Sequence, residues 1–397
     1  MYFEKLTLQD FRGFERLELA LRPDLTLLVG ENGSGKSTIL FALESLARGF
    51  AANVLGRPEY RFPPAESDIR IGAQSSLLAA MVGGIAISQT QTRGMVADVQ
   101  IAAPPVVARS VRILTTISFG TNRSVLRGSH ERALRSSPQP AWDTWLNPDF
   151  TSFELLAAWF LKTEDFENQE KVRRRDLSYA DPHLSAVRKA LSRVLPLTDP
   201  RMDRSRAGDH QFVFSKGGME LEADQLSDGE RSLMVIASSI AQRLAGVTPA
   251  GEDPLEQPAL ILIDEIELHL HPKWQRAILG KLRQTFPRCQ FVVTSHSAPV
   301  IGSVAREHVV VLENFQAFPT SVVTRGRDAT AILEELMGLP RHPENVSAIL
   351  TTIEELIERE ELATARDKLR ELAVELGPHD YEVVRLDKLL DFLGAPR

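Results

Sequence analysis

The stretch GENGSGKST at residues 30–38 decides the fold, because it fits the pattern G-x-x-x-x-G-K-[ST]. It follows the apolar run LTLLV at residues 25–29 and leads into the helical sequence STILFALESLA, the setting that this pattern requires. Glycines let backbone N–H groups surround a phosphate, and a helix N-terminus adds positive potential. The predicted nucleotide-binding residues of this phosphate loop are Gly30, Asn32, Gly33, Ser34, Gly35, Lys36, Ser37 and Thr38.

A second apolar run, ALILI at residues 259–263, ends in two carboxylates, Asp264 and Glu265. A buried parallel strand would deliver this end beside the phosphate loop. There Asp264 and the Ser37 hydroxyl would hold Mg²⁺, and Lys36 would neutralise the phosphates. Glu265, facing the other way along the strand, suits the polarisation of an attacking water. We therefore predict ATP and Mg²⁺ as cofactors; the alternative for the two carboxylates is a solvated turn.

Two shorter segments have both a structural and a functional interpretation. In QLSDGERS at residues 225–232, Ser227 and Glu230 have the spacing of a capping box. The same helix N-terminus, with Gly229, is suited to bind a γ-phosphate. His296 follows the apolar strand sequence FVVTS, where it either senses the γ-phosphate or serves as a local hydrogen-bonding group.

The order of these segments resembles that of the ABC ATPases, in which LSDGE corresponds to the LSGGQ signature. The sequence LQDFRGF at residues 8–14 is similar to the L-x-N-F-R-x-F of RecF/SMC-type ATPases. The sequence IELHLHPKWQ at 266–275 resembles a compact group of AAA ATPases that includes PtuA-like subunits of Septu and some retron anti-phage systems. Residues 121–123 (TNR) and 164–168 (EDFEN) also look like that group.

This resemblance implies the α/β fold of an ABC-type P-loop ATPase head: a mixed sheet with an antiparallel lobe, a helical insertion and a helical C-terminal tail. It implies that Glu265, His296 and Lys36 are catalytic and that Arg12 lies near the nucleotide. It also implies a head-to-tail dimer with shared ATP sites, or a higher oligomer. The residues expected to meet the ATP of the opposite subunit are Ser227, Gly229 and Glu230.

Three features depart from the family pattern or leave it incomplete. Asp228 replaces the third residue, a glycine, of the signature. The glutamine of the Q-loop has two candidates, Gln74 and Gln89. The insertion is too short for the long coiled coil of SMC proteins and has no sustained heptads.

The pattern of elements predicts four segments. ATPase lobe I with the phosphate loop spans 1–135, and a mainly helical insertion spans 136–215. ATPase lobe II, with the signature, the acidic strand and His296, spans 216–325, and a helical C-terminal region spans 326–397. Both lobes must share one core, because neither supplies enough strands alone. The C-terminal helices either pack within the fold or dock a partner.

Composition limits the location and the partners. The 397 residues carry a net charge of −7 and one cysteine, Cys289, which fits a reducing compartment. The N-terminus lacks a secretion signal, and the apolar stretch at 76–87 is too short for a bilayer, so we expect a cytoplasmic protein without a membrane role. Because the chain is acidic overall, binding of nucleic acid would require a local basic patch. The insertion offers a run of cations, either a solvated face or a contact to phosphates: Lys171, Arg173, Arg174, Arg175, Arg188, Lys189 and Arg193.

Three functions compete on these observations. In the first, the chain is the ATPase sensor or regulator of an anti-phage complex whose separate effector is a nuclease of the HNH type, with a retron reverse transcriptase or nucleic acid as a further partner. In the second, it is a RecF-like repair ATPase that clamps DNA directly. A transporter ATPase is disfavoured by the absence of an apolar span. His269 and His271 alone make a poor zinc set, so we interpret them as packing or dimer-loop residues.

Overall fold

The computed structural model describes most of the chain, in the ranges 2–55, 63–95, 98–102, 115–121, 153–204, 211–338 and 342–394. The chain divides into two compact units, residues 1–328 and residues 329–397. The expected family match at Asn122–Arg123 and the predicted boundary after residue 135 lie outside the described residues.

The elements of the larger unit are numbered here in chain order. The strands are β1 Phe3–Phe11, β2 Phe14–Ala20, β3 Leu25–Gly30, β4 Ser75–Val82, β5 Ile85–Thr92, β6 Asp98–Ala102, β7 Thr115–Phe119, β8 Thr198–Asp203, β9 Gln211–Lys216, β10 Met219–Glu222, β11 Ala259–Ile263, β12 Gln290–Ser295, β13 Val309–Glu313 and β14 Gln316–Pro319. The helices are α1 Lys36–Leu55, α2 Phe153–Arg174, α3 Pro182–Val194, α4 Asp228–Val247, α5 Pro272–Gln275, α6 Ile278–Thr285 and α7 Ala298–Ile301.

The central sheet has six strands in the order β14-β13-β3-β12-β11-β7, parallel except for the final hairpin β13–β14. Every residue of β3, β11 and β12 is buried. Continuous apolar runs are typical of parallel strands covered on both faces, which explains why these strands were predictable from sequence. The three strands supply the residues that surround the phosphate loop.

A five-stranded sheet of order β2-β1-β4-β5-β6 forms the antiparallel lobe. Its strands alternate between buried and exposed residues, as expected when one face is covered. Apolar residues of this sheet, of α1 and of the central sheet form one hydrophobic cluster. The predicted α/β class, mixed sheet and antiparallel lobe are confirmed.

The insertion contains α2 and α3 and continues into a small antiparallel sheet of order β10-β9-β8. The sequence patterns predicted a mainly helical insertion over 136–215, but its last part contains the strands β8 and β9. The strand pattern of β8 was not recognisable in the sequence, because this strand contains charged and proline residues (TDPRMD). In addition, its pairing with β9 has a register shift between Thr198 and Arg201.

Five of the seven cations in the basic run of the insertion are paired with carboxylates of the same chain. Three of these carboxylates, Glu164, Glu167 and Glu170, are at most 7% exposed on α2. Arg188 of α3 spans two of them, with N–O distances of 3.0 Å to Glu164 and 3.1 Å to Glu167. The remaining pairs are Lys171–Glu167, Arg173–Glu170, Arg174–Glu170 and Lys189–Asp253. Arg188 and Lys189 therefore join α3 to α2 and to the loop at Asp253, whereas the other three pairs lie within α2.

The smaller unit consists of helices: α8 Ala329–Met337, α9 Glu344–Glu358, α10 Leu362–Leu376 and α11 Tyr381–Gly394. The last three bury a core of their own, which includes Ile353, Leu369 and Leu386. The side chains of Val374 and Phe392 are 89% and 80% exposed. Within the described part of the chain, every helix is too short or too polar to span a lipid bilayer.

One buried amide connects the two large sheets at their edges. Gln290, 2% exposed at the start of β12, accepts from the Phe3 backbone N–H at 2.8 Å. Its Nε2 donates to the Phe3 carbonyl at 2.8 Å and to the Arg22 carbonyl at 2.7 Å. The start of β1 and the segment after β2 are therefore tied to the start of β12 by three hydrogen bonds of a single side chain.

We predict that Gln290→Leu destabilises the protein by about 3 kcal/mol, because buried backbone groups of Phe3 and Arg22 lose their partners. Denaturant unfolding of the purified variant measures this loss. Gln284→Leu, at an exposed position of α6, is the control and should unfold like the wild type. Equal stability of the two variants would show that the amide does not hold the sheets together.

Candidate functional site

The site lies where three neighbouring parallel strands end. The register pairs Ile263 of β11 with Val293 of β12, and Ser295 of β12 with Val29 of β3. The segments that follow these strands are therefore level with one another at one edge of the sheet. They carry the phosphate loop after β3, the acidic pair after β11 and His296 after β12, as is common for ligand sites of parallel sheets.

The predicted magnesium ligands are brought together. The Ser37 hydroxyl donates to Asp264 Oδ2 at 2.7 Å, although 227 positions separate the two residues in sequence. The other oxygen of Asp264 accepts from the hydroxyl of Thr294 at 2.5 Å. Hydroxyl and carboxylate oxygens are the ligand types that Mg²⁺ prefers, so Ser37 and Asp264 fit this ion. Thr294 was expected within an apolar strand, but its contact with Asp264 was not predicted.

The side chain of Lys36 folds back onto the phosphate loop to which it belongs. The side chain donates to the carbonyls of Gly30 at 2.8 Å and Glu31 at 2.7 Å. Burial lowers the pKa of Lys36, while the carboxylates of Asp264, Glu265 and Glu267 oppose that shift. The ammonium group thus faces carbonyl oxygens that a phosphate oxygen would replace.

The conformation of the phosphate loop requires glycine at two positions. A Cβ on Gly30 would lie 2.3 Å from the Leu312 carbonyl oxygen of β13. Gly35 has φ +99°, and a Cβ there would lie 2.5 Å from the Phe14 ring. Gly33 also has a positive φ but faces open space. The remaining predicted loop positions are an exposed Asn32, a buried Ser34 and a half-buried Thr38 in the first turn of α1.

The Ser34 hydroxyl is a buried polar group for which the described residues provide no hydrogen-bond partner. Buried hydroxyls of this kind are normally paired, and exceptions call for an explanation. In a loop of backbone N–H groups, a missing ligand oxygen is such an explanation. The loop therefore fits a bound phosphate.

Glu265 lies beyond the end of β11, contrary to the expected continuation of the strand. Its φ of +46° turns the backbone, and its N–H donates to the Thr294 hydroxyl at 2.7 Å. The strand alternation that we used to orient this side chain therefore does not apply. The side chain is partly exposed and interacts electrostatically with Lys36.

His296 has a carboxylate partner that sequence analysis missed. Its ring Nδ1 lies 3.0 Å from Glu267 Oε1, and the same oxygen accepts from the His296 backbone N–H at 2.6 Å. The histidine side chain remains 48% exposed, whereas the Glu267 side chain is 7% exposed. His296 therefore takes part in a local hydrogen bond, as one interpretation predicted. Its ring is nevertheless exposed enough to reach a ligand, as the other interpretation requires.

The signature segment forms the predicted capping box at the start of α4. Ser227 Oγ accepts from the Glu230 N–H at 3.3 Å, and Glu230 accepts from the Ser227 N–H at 3.1 Å. Burial would raise the pKa of Glu230, but hydrogen bonds from Lys216 and Ser227 lower it below its ordinary value. Asp228, the departure from the family signature, pairs with Arg231 at 2.7 Å.

The signature helix touches the loop that follows the acidic pair. A Cβ on Gly229 would lie 2.5 Å from the His269 carbonyl oxygen, so this approach requires glycine. His271 caps α5 by accepting from the Lys273 N–H at 3.3 Å. The two histidines thus belong to a packed loop. The described residues contain no group of three or more potential metal ligands of the His, Cys, Asp or Glu type.

Arg12 lies against α1 with its charge already paired. Its Nε donates to Asp68 at 2.8 Å, and its guanidinium stacks 4.2 Å from the centre of the Phe41 ring. Of the two Q-loop candidates, Gln89 bonds to Ser45 of α1 through both amide atoms, at 2.6 and 2.9 Å. The other, Gln74, is exposed just before β4. Asp68 was not predicted.

Two curated proteins are similar to this chain over most of its length. The first, "Retron Ec83 probable ATPase" of Escherichia coli, is 24% identical and matches 96% of this chain and 84% of its own. The second, "Septu protein PtuA" of Bacillus thuringiensis, is 21% identical over 91% of this chain and 90% of its own.

The structure of an SMC head bound to the C-winged helix domain of ScpA aligns with 81% of this chain and 98% of its own, with a TM-score of 0.49 and 16% identity. The family model described as "AAA domain, putative AbiEii toxin, Type IV TA system" matches residues 25–302, from the start of β3 to the end of α7. The chain therefore belongs to this family of AAA domains, and the predicted resemblance to the compact AAA group with retron and Septu members is confirmed.

Proposed function

We propose that this chain binds and hydrolyses ATP as the dimeric ATPase subunit of an anti-phage defence complex whose effector is a separate nuclease. The observation that most supports ATP binding and hydrolysis is the 2.7 Å hydrogen bond between Ser37 and Asp264. It joins the phosphate loop to the acidic strand, with Lys36 and Glu265 beside it. These four groups suit phosphoryl transfer to water, which depends on positioning and charge neutralisation.

Each group has one task in the proposed reaction. Lys36 exchanges the carbonyls of Gly30 and Glu31 for β- and γ-phosphate oxygens. Ser37 and Asp264 hold Mg²⁺, which neutralises charge developing on the phosphates. Glu265 accepts a proton from the attacking water.

We predict that Lys36→Ala abolishes ATP binding, because the phosphates lose their side-chain cation. Glu265→Gln should bind ATP normally and hydrolyse it at least about a hundredfold more slowly, because the amide is no base. Nucleotide retention and phosphate release, measured on both variants, test the pair. Full turnover by Glu265→Gln would remove this residue from the base role.

The dimer is proposed because the phosphate loop and the signature helix would each bind one side of a nucleotide. A complete site would then need the phosphate loop of one subunit and the signature helix of the other. An open helix N-terminus at Ser227, with Gly229 and Glu230 behind it, suits the γ-phosphate of a second subunit. A head-to-tail pair with two-fold symmetry would close both sites with the same surfaces. In each subunit, His296 would contact the γ-phosphate held by the phosphate loop of its own chain, and Arg12 would lie near that same nucleotide.

Shared sites predict complementation between defective subunits. Lys36→Ala and Ser227→Arg chains should each be inactive alone, but mixing them should restore ATPase activity through one intact site in each mixed dimer. Phosphate release as a function of mixing ratio measures this recovery. Wild-type activity of either variant alone would contradict shared sites.

The defence role is proposed from the relatives named for retron and Septu systems. The C-terminal unit suits the docking of a basic effector, an HNH-type nuclease or a retron reverse transcriptase. Residues 329–397 contain fifteen acidic and eight basic side chains, which accounts for the whole net charge of −7. Direct clamping of DNA, the second function considered, is less favoured, because five of the seven cations in the basic run of the insertion are paired with carboxylates.

We predict that the purified chain does not cut DNA or RNA in the presence of ATP with Mg²⁺ or Mn²⁺. Cleavage should appear when the product of a neighbouring nuclease gene is added, and Lys36→Ala should change it. Gel assays on single- and double-stranded substrates measure both. Cleavage by the chain alone that disappears with a point mutation in it would contradict a separate effector.

A further inference from the structure

Glu267 is a buried carboxylate at the site, 7% exposed, and none of the four groups assigned to the reaction requires it. Its Oε1 binds the backbone N–H of His296 at 2.6 Å and lies 3.0 Å from the ring Nδ1. Its Oε2 is buried and has no partner among the described residues. A buried carboxylate must gain from its few contacts to offset lost hydration, so this histidine contact matters energetically.

The segment that carries Glu267 is held firmly by backbone hydrogen bonds. The Ile266 N–H donates to the Thr294 carbonyl at 3.2 Å, which ties the segment to β12. The Glu267 carbonyl accepts from the Leu270 N–H at 2.8 Å, which closes a tight turn. The carboxylate is thus a fixed acceptor, and the half-exposed His296 ring must adapt to it.

An acceptor at Nδ1 determines what the other ring nitrogen can do. When a carboxylate takes the Nδ1–H, the ring is oriented and its tautomer is set, which leaves Nε2 available to an outside group. A γ-phosphate oxygen beyond the end of β12 is such a group. A ring without this partner would rotate and distribute its proton over both nitrogens.

We propose that Glu267 is a positioning residue for His296: by accepting Nδ1–H, it presents Nε2 to the γ-phosphate. This inference rests on the proposed ATPase function. Glu267 does not compete with Glu265 for the role of base, because its side chain is 7% exposed and its Oε1 is occupied by the histidine. Water reaches the partly exposed Glu265 more readily.

The chain contains a matched control, because a second side-chain link joins the same two segments. Ser297 donates to Gln275 at 2.7 Å, and Gln275 donates to the Leu270 carbonyl at 2.8 Å. This link leaves the His296 ring untouched. A merely structural role for Glu267 predicts that breaking either link has the same effect.

The kinetic test compares Glu267→Leu, Glu267→Gln and Gln275→Leu with His296→Ala and with the double variant Glu267→Leu/His296→Ala. Glu267→Leu should lower kcat about tenfold with KM for ATP nearly unchanged, as for lost partners of other oriented histidines. Glu267→Gln should lose less, because an amide oxygen still accepts, and it serves if the leucine variant does not fold. The double variant should equal His296→Ala. Additive losses, or equal losses in Gln275→Leu, would overturn the proposal.

A second measurement does not depend on turnover. Nitrogen NMR of the histidine rings, with the His296 signal assigned by its absence in His296→Asn, should show a protonated Nδ1 in the wild type and tautomer exchange in Glu267→Leu. If the wild type hydrolyses no ATP, the proposed function fails, yet this spectrum still tests the Glu267–His296 contact. An unprotonated Nδ1 in the wild type would overturn the positioning role whatever the activity.

Discussion

The hydrogen bond from Ser37 to Asp264 is the contact on which the rest of the site depends. It connects the loop after β3 to the end of β11, which are separated in the sheet by β12. Thr294 at the end of β12 bridges the gap by donating to Asp264 and accepting from the Glu265 N–H. A different strand order would separate these groups by at least one further strand spacing of about 4.8 Å, and a shifted register would move them along the strand by about 3.3 Å per residue. The buried parallel core of the molecule therefore serves to hold three strand ends level.

Backbone strain also occurs in the segment that follows β11. Two non-glycine residues there have left-handed backbones: Glu265 with φ +46° and His269 with φ +63°. Each such conformation costs roughly 1 kcal/mol, and it persists only where the surroundings enforce it. At Glu265 the enforcing contact is the bond to Thr294, and at His269 it is the close approach of Gly229. The contacts that form the site thus also stabilise the strained turns at these residues.

Sequence patterns identified the groups whose signal is local. The phosphate loop, the apolar strand before Asp264 and the Ser227–Glu230 capping box each lie within a few consecutive residues, where spacing and residue type are sufficient. Thr294, Glu267 and Asp68 were missed as functional partners because their roles arise from contacts between distant segments. The direction of Glu265 could not be derived from strand alternation, because β11 ends at Ile263.

The basic run of the insertion is a second case in which local sequence did not reveal the contacts of the side chains. Its cations looked available in sequence, and the carboxylates that pair with them, Glu167 and Glu170, lie three or four residues earlier on the same helix. Pairs at this helical spacing are individually weak on a solvated surface. Here the carboxylates are buried, and Arg188 from α3 joins the group, so the network acts as packing between helices. Charge counts alone do not distinguish these two situations.

The most direct measurement is an experimental structure of the chain with Mg²⁺ and a non-hydrolysable ATP analogue. The arrangement of strand ends predicts that Lys36 leaves the carbonyls of Gly30 and Glu31 for the phosphates, and that the metal takes the place of the hydrogen bond between Ser37 and Asp264. His296 should present Nε2 to the γ-phosphate while Nδ1 remains on Glu267. A nucleotide bound elsewhere, or bound with the Ser37–Asp264 hydrogen bond intact and Lys36 unmoved, would contradict the proposal that this edge of the sheet is an ATP site.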